Sequence, residues 1–110
     1  MHKIVLFVPE DAKEAVKTAL FSAGAGRFRA YDRCCWEIAG SGQFRPLEGA
    51  NPFIGSVGET EHVAEYRVEM ICTDELVPAA LTALLAAHPY EEPAYEVFPI
   101  YTRDDYSESM

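Results

Sequence analysis

The chain has 110 residues, of which 49% are apolar and 12% aromatic, enough for one hydrophobic core and too apolar for a disordered segment. Its formal net charge of −9 and its scattered basic residues argue against binding to a nucleic-acid backbone. The sequence contains no long apolar run and no basic-then-apolar leader, and it has three cysteines, an odd number. We therefore expect no membrane partner and a reducing, cytoplasmic location.

The first half of the chain predicts a strand, a helix and a second strand. Lys3–Val8 is a short apolar run rich in β-branched and aromatic residues, which is typical of a buried strand. Pro9-Glu10-Asp11 suits the first turn of a helix, and apolar residues then recur at helical spacing until Gly24 and Gly26 end it. The second strand covers about Arg33–Ala39.

The second half repeats this order with the helix between the strands. A third strand is predicted over His62–Cys72, and a helix follows with Thr73 or Asp74 as its cap. Its apolar face continues to about Ala87. Pro93–Tyr101 is extended, and its prolines indicate a strand at a sheet edge.

The resulting β-α-β-β-α-β order predicts an α+β, ferredoxin-like fold, with an antiparallel sheet and two helices on one face. We expect a single domain over residues 1–102, a long loop at about residues 40–60, and a polar, acidic, loosely held tail over residues 103–110. The other face of the sheet needs cover, and Trp36, Phe98 and Tyr101 indicate burial by self-association.

The segment from His88 to Tyr95, His-Pro-Tyr-Glu-Glu-Pro-Ala-Tyr, places an imidazole, two carboxylates and two phenols between stiff prolines. We predict that His88, Tyr90, Glu91 and Glu92 bind a ligand, with His88 and Glu91 as a candidate metal pair. The alternatives are that the prolines only direct a helix-to-strand connection, and that His88 caps the last carbonyls of the helix. In an extended chain Glu91 and Glu92 would point in opposite directions.

A glycine-rich excursion is the second candidate segment. Five of the seven glycines lie between Gly40 and Gly58, although no Gly-Lys-Ser/Thr ending makes this a phosphate loop. We predict that Gly42, Phe44, Arg45 and Asn51 take part in binding. The alternative is a purely structural flap.

Three glutamates of the predicted third strand, Glu61, Glu65 and Glu69, share one face of it. We expect this face to be solvated. The alternative is that the glutamates meet Arg27, Arg29 or Arg45.

Several motifs in chain order resemble the inserted domain of the Nif-three-like family, over about residues 3 to 101. In that family the insert is a ferredoxin-like module similar to the CutA and PII trimers, and it covers a larger domain with a two-metal site of His, Asp and Glu. Some members are named GTP cyclohydrolase 1 type 2. The motifs are Gly24-Ala25-Gly26, Tyr31-Asp32-x-Cys34, Gly40-Ser41-Gly42-Gln43-Phe44-Arg45-Pro46, Asn51-Pro52-Phe53-Ile54-Gly55, the three glutamates and His88–Tyr95.

The chain also departs from that family pattern. It has no second lobe, and His2, His62 and His88 are far apart in sequence, so the family's metal site is carried over to no residue. Arg27-Phe28-Arg29-Ala30 replaces the family's Gly-Asn-rich approach to the tyrosine. The resemblance implies a free-standing version of the lid domain.

We therefore predict a binding or regulatory role for this module more than a catalytic one. The resemblance implies a homo-oligomer, with a trimer favoured over a dimer, whose clefts hold a small anionic metabolite or a divalent metal. Two alternatives stay open. One is a metal-dependent hydrolase of the Nif-three-like kind, with His88 and Glu91 or Glu92 at its site, and the other is an interaction domain that docks on a separate protein.

Overall fold

The computed structural model describes residues 1–106, in which four strands and two helices follow the predicted order. Two short 3-10 helices, Asp74–Leu76 and Arg103–Tyr106, precede the second helix and follow the last strand. The predicted α+β class is confirmed. The elements are β1 (His2–Pro9), α1 (Glu10–Ser22), β2 (Trp36–Phe44), β3 (Glu61–Cys72), α2 (Val77–Ala87) and β4 (Tyr95–Pro99).

The strands form one antiparallel sheet in the order β2-β3-β1-β4. Strand β1 lies in the interior and pairs with β3 along its whole length, from His2 opposite Cys72 to Pro9 opposite Glu65. Strand β4 lies at an edge, where Pro99 removes no central ladder hydrogen bond. The predicted edge position of this strand is confirmed.

Both helices cover one face of the sheet, and the core lies between them and the strands. Alternate residues of β1 point at the helices because successive strand side chains face opposite sides. Burial of each large aliphatic side chain in this layer contributes about 1.5–3 kcal/mol. The buried residues of this layer are Ile4, Leu6 and Val8 of β1, Val16 and Leu20 of α1, Val68, Met70 and Cys72 of β3, Ala80 and Leu84 of α2, and Ala25.

The helix ends follow the prediction at one place and differ at another. Helix α1 stops before Gly24, whose φ of +102° lies in the left-handed region that glycine adopts without strain. Neither Thr73 nor Asp74 caps α2 through its side chain. The reason is that the Asp74 carboxylate is occupied by the amino group of Met1 and by Nδ1 of His2, both at 2.7 Å.

Strand β2 is shifted toward the C-terminus relative to its predicted range. Gly40–Phe44, expected at the start of the excursion, pairs in full with β3, so that the excursion is confined to residues 45–60. The sequence pattern missed this because glycine and serine have low strand propensity. The ladder to β3, from Trp36 opposite Glu69 to Phe44 opposite Glu61, supplies the hydrogen bonds that compensate for it.

The sheet face opposite the helices carries exposed apolar residues. Trp36 (59% exposed) and Ile38 lie on this face of the edge strand β2, and Phe98 (40% exposed) lies on the opposite edge strand β4. Tyr101, which is 75% exposed, follows the end of β4. In contrast, Glu37 points at the helix side, where it pairs with lysines of α1. The described residues thus leave uncovered the apolar surface that the sequence placed there.

The predicted tail divides into two parts. Residues 103–106 form the second 3-10 helix, which Arg29 contacts through Asp104 at 2.7 Å, and residues 107–110 lie outside the described residues. Over residues 1–106, neither helix combines the length and the apolar character that crossing a membrane requires.

Candidate functional site

A cavity of about 430 Å³ lies at one end of the uncovered sheet face. Its floor is formed by β1, β2 and β3, and its walls by the 45–60 loop and by the connection between α2 and β4. We refer to it as the loop–corner cavity. Its lining residues are Phe7, Gln43, Phe44, Arg45, Pro46, Leu47, Ala50, Pro52, Phe53, Ile54, Glu65, Tyr90, Glu91, Glu92 and Ala94.

The cavity brings together the two segments that the sequence singled out. The backbone N–H of Asn51 donates to Oε1 of Glu91 at 3.1 Å, across 40 residues of chain. The ring of Tyr90 lies 6.3 Å from that of Phe44 and 6.4 Å from that of Phe53, centroid to centroid, in tilted arrangements. The loop and the corner are therefore two walls of one site.

His88 lies behind the cavity wall and is buried, with 6% of its surface exposed. Its Nε2–H donates to the carbonyl of Phe7 at 2.7 Å, and its Nδ1 accepts the N–H of Tyr90 at 3.2 Å, an arrangement that assigns the proton to Nε2. The ring also contacts that of Tyr90, with centroids 4.8 Å apart. His88 thus ties the corner to the central strand and sets the position of Tyr90.

These bonds bear on both readings of His88. The alternative prediction was that the ring of His88 caps the last carbonyls of α2, but the ring bonds to a carbonyl of β1 instead. Only the backbone N–H of His88 bonds to the helix, at the carbonyl of Leu84. Burial lowers the pKa of His88, so the neutral ring that these two bonds require is favoured. No group of three or more His, Cys, Asp or Glu side chains within residues 1–106 is arranged to hold a metal ion.

Glu65 is the charged group at the floor of the cavity, and it is only partly exposed. The hydroxyl of Tyr90 approaches its Oε2 at 3.5 Å, a long contact. Burial raises the pKa of Glu65, and burial together with this carboxylate raises the pKa of Tyr90 to about 12. The expectation that this face of β3 is solvated is therefore wrong at Glu65.

Gly42 explains how the Glu65 carboxylate fits there. A Cβ at position 42 would lie 2.1 Å from Oε1 of Glu65, whereas a Cβ at Gly40, on the same face of β2, would meet nothing within 4 Å. Only the missing side chain lets the carboxylate lie against the strand. Gly42, a predicted binding residue, is thus a residue that positions the charged group of the floor.

Glu69, on the same face of β3, has partners of its own. Glu69 accepts the Nε–H of Arg67 at 2.9 Å and pairs with Lys3 at 3.3 Å, and it is 19% exposed. Arg29, one of the arginines expected to meet these glutamates, pairs with Asp104 instead. Exposed surface pairs of this kind contribute little to stability.

Glu91 and Glu92 both line the cavity. The expected opposite orientation assumed an extended chain, whereas residues 90–92 form a bend, in which that alternation does not apply. Of the eight predicted binding residues, the lining includes Phe44, Arg45, Tyr90, Glu91 and Glu92, while Gly42, Asn51 and His88 support it from behind.

Sequence reasoning missed Phe7 and Glu65 as cavity residues, and it did not assign the apolar loop residues such as Phe53 to a site. Phe7 reads as one more member of a buried strand. A signal for Glu65 exists only in the pairing of β2 with β3, which sets this carboxylate opposite Gly40 and against Gly42. That pairing could not be read from either segment alone.

Known proteins resemble this chain over nearly its whole length. It is 48% identical over 100 residues to a protein of Mycobacterium tuberculosis named GTP cyclohydrolase 1 type 2 homolog, and 42% identical to the Bacillus subtilis protein of the same name. The alignments cover 91% of this chain but 26% and 27% of the relatives, so the chain spans about a quarter of their length. No family profile matches the chain.

Solved structures show the same fold. A crystal structure of a Bacillus cereus protein related to NIF3 matches with a TM-score of 0.80 and 40% identity, over 92% of this chain and 26% of that one. The periplasmic divalent cation tolerance protein CutA of Archaeoglobus fulgidus matches with a TM-score of 0.67 and 19% identity, over 93% of this chain and 86% of its own. The second likeness concerns the fold alone.

Proposed function

We propose that this chain is a binding module for a small ligand held in the loop–corner cavity. The proposal starts from the premise that the chain is a Nif-three-like sequence that matches one segment of its relatives. One observation carries the proposal: two segments about 40 residues apart form the walls of a single cavity lined by aromatic residues, and a hydrogen bond from Asn51 to Glu91 joins them. A concave, mostly apolar pocket with a few converging polar groups is the usual form of a small-molecule site.

The roles of the predicted residues follow from the geometry. Tyr90, Phe44 and Arg45 contact the ligand, as do Glu91 and Glu92 at the corner. The remaining predicted residues hold these walls in place, since Asn51 bonds to Glu91 and His88 bonds to both β1 and the backbone of Tyr90. A divalent metal at His88 and Glu91 would have to displace these bonds, so the cavity carries the proposal without a metal.

Self-association through the uncovered sheet face is part of the same proposal. Trp36 and Ile38 on β2 and Phe98 on β4 leave large apolar side chains exposed at both edges of this face, and Tyr101 is exposed just after β4. We expect a homo-oligomer, with a trimer favoured over a dimer by likeness of fold. Docking on a different protein is the competing way to cover this face.

The hydrolase alternative takes its support from the relatives' names, and the chain matches only about a quarter of those proteins. The described residues contain no metal-holding cluster that would favour it. The binding function is therefore the one that the geometry supports.

The test is native mass spectrometry of the untagged full chain, with metal analysis of the same sample. We expect an oligomer that carries a co-purified small molecule, and loss of that molecule from a Tyr90→Ala variant. Tyr31→Ala is the matched control, because Tyr31 is 73% exposed and lies outside the cavity lining. Equal ligand retention in the two variants would contradict the cavity as the site, and a monomer at every accessible concentration would contradict self-association.

A further inference from the structure

We propose that the ligand of the loop–corner cavity is a planar aromatic cation, of the arylamidine or aminated-heterocycle class, whose N–H groups bond to the Glu65 carboxylate. This inference rests on the proposed binding function and replaces the anionic metabolite expected from the sequence. It is carried by the charges on the lining, by the aromatic walls and by the position of Glu65.

The charges on the lining have one prevailing sign. Three acidic residues, Glu65, Glu91 and Glu92, line the cavity, against one basic residue, Arg45. Among residues 1–106, Glu65 takes part in no ion pair with a lysine or arginine, and the Tyr90 hydroxyl at 3.5 Å is its side-chain partner. A bound anion would be repelled by this lining, whereas a cation would supply the missing charge.

The walls favour the same charge and a flat shape. Phe7, Phe44, Phe53 and Tyr90 line the cavity, and the Tyr90 ring lies within 6.4 Å of the rings of Phe44 and Phe53, tilted against both. Aromatic faces carry negative charge density, so they attract a cation that packs against them. A planar aromatic ligand can place its own ring on the open face of one of these rings.

Glu65 is positioned to accept hydrogen bonds from the N–H groups of such a ligand. The absent side chain of Gly42 lets the carboxylate lie against β2, and the Tyr90 hydroxyl contacts it from the corner side. The surrounding walls remove water from it, which is why burial raises the pKa of Glu65. Ligand N–H groups would restore the hydrogen bonds that this carboxylate has lost.

The experiment uses three probes of one shape and three charges: benzamidine as the cation, benzamide as the neutral form and benzoate as the anion. Each is titrated over the millimolar range into the full, isotope-labelled chain and followed by amide chemical shifts. At about pH 8, above the ordinary range of carboxyl pKa values, all lining carboxyls can ionise. We expect benzamidine to bind about ten-fold more tightly than benzoate, with benzamide between them, and to shift the amides of the loop and the corner.

Two variants then locate the preference. Glu65→Gln keeps the size of the side chain and removes its charge, and we expect it to weaken benzamidine binding by about ten-fold, as the loss of one charged hydrogen bond implies. Glu96→Gln makes the same charge change on the same sheet face, at an exposed position of β4 outside the cavity lining, and should leave the affinity within about two-fold.

The outcomes separate this inference from the binding function on which it rests. Equal binding of the three probes with the expected shifts would overturn the cation preference while supporting a cavity that binds by stacking. Tighter binding of benzoate would also overturn it. Equal losses in the Glu65→Gln and Glu96→Gln variants would remove Glu65 as the partner. No binding of any probe would overturn this inference, whereas the binding function stands or falls with the co-purified molecule and its loss from Tyr90→Ala.

Discussion

Replacement of His88 by alanine should destabilise the domain more than replacement of any exposed histidine. The ring of His88 is buried and makes two hydrogen bonds, from Nε2–H to the Phe7 carbonyl at 2.7 Å and from the Tyr90 N–H to Nδ1 at 3.2 Å. In the alanine variant both backbone groups lose their partner while they stay part-buried. The variant should therefore open the corner as well as lose stability.

The magnitude follows from counting these groups. A buried polar group that loses its partner costs about 1–3 kcal/mol, so the two groups together give a loss of about 2–6 kcal/mol in the free energy of unfolding. That is a large share of the roughly 5–15 kcal/mol of a typical domain, and it corresponds to a fall in Tm on the order of 10 °C.

The assay is urea unfolding followed by far-ultraviolet circular dichroism, because Trp36 is 59% exposed and its fluorescence would report unfolding weakly. His62→Ala is the control, since His62 is an exposed histidine on β3. If His88→Ala unfolds within about 0.5 kcal/mol of His62→Ala, the assignment of His88 as a structural tie of the corner is wrong.

The pH dependence gives a second check on the same residue. Because the pKa of His88 is lowered in the folded state, the unfolded chain binds more protons between that lowered pKa and the ordinary value of 6.5. The stabilisation is therefore fully present above pH 6.5 and is lost as the pH falls through the folded pKa. The stability difference between the wild type and His88→Ala should narrow on acidification, and a difference that widened would refute this titration.

Three further predictions concern the carboxylates and the glycine beneath one of them. Gly42→Ala should weaken benzamidine binding by about ten-fold because the new Cβ displaces Glu65. Gly40→Ala is the control and should leave the affinity unchanged, since a Cβ there meets open space. Equal affinities of the two variants would refute the positioning role of Gly42. Glu65→Gln should be more stable than the wild type at pH 7 in urea unfolding, since the raised pKa of Glu65 in the folded state means that the wild type loses stability as the pH rises. The gain should vanish below the ordinary glutamate pKa of 4.5. Glu37→Gln should cost up to about 1 kcal/mol at pH 7, a small value because solvent screens its bonds to the two α1 lysines, and the cost should disappear as the pH falls through the lowered pKa of Glu37.

The sequence by itself determined the order of the elements and the two segments that form the site. Periodic apolar residues mark each helix, Gly24 ends the first, and the stiff prolines around His88 end the second. These signals are local, because they depend on residues within a few positions of one another. Five of the eight predicted binding residues line the cavity for this reason.

Only the tertiary structure decided how the two segments meet. The hydrogen bond from His88 to Phe7 spans 81 residues, and the place of Glu65 against Gly42 depends on the register between β2 and β3. A shift of one residue in that register would turn Gly42 to the helix side of the sheet and away from Glu65. Register and long-range pairing are set by the summed burial of the whole domain, which no local pattern contains, and so the floor of the cavity was fixed by the fold.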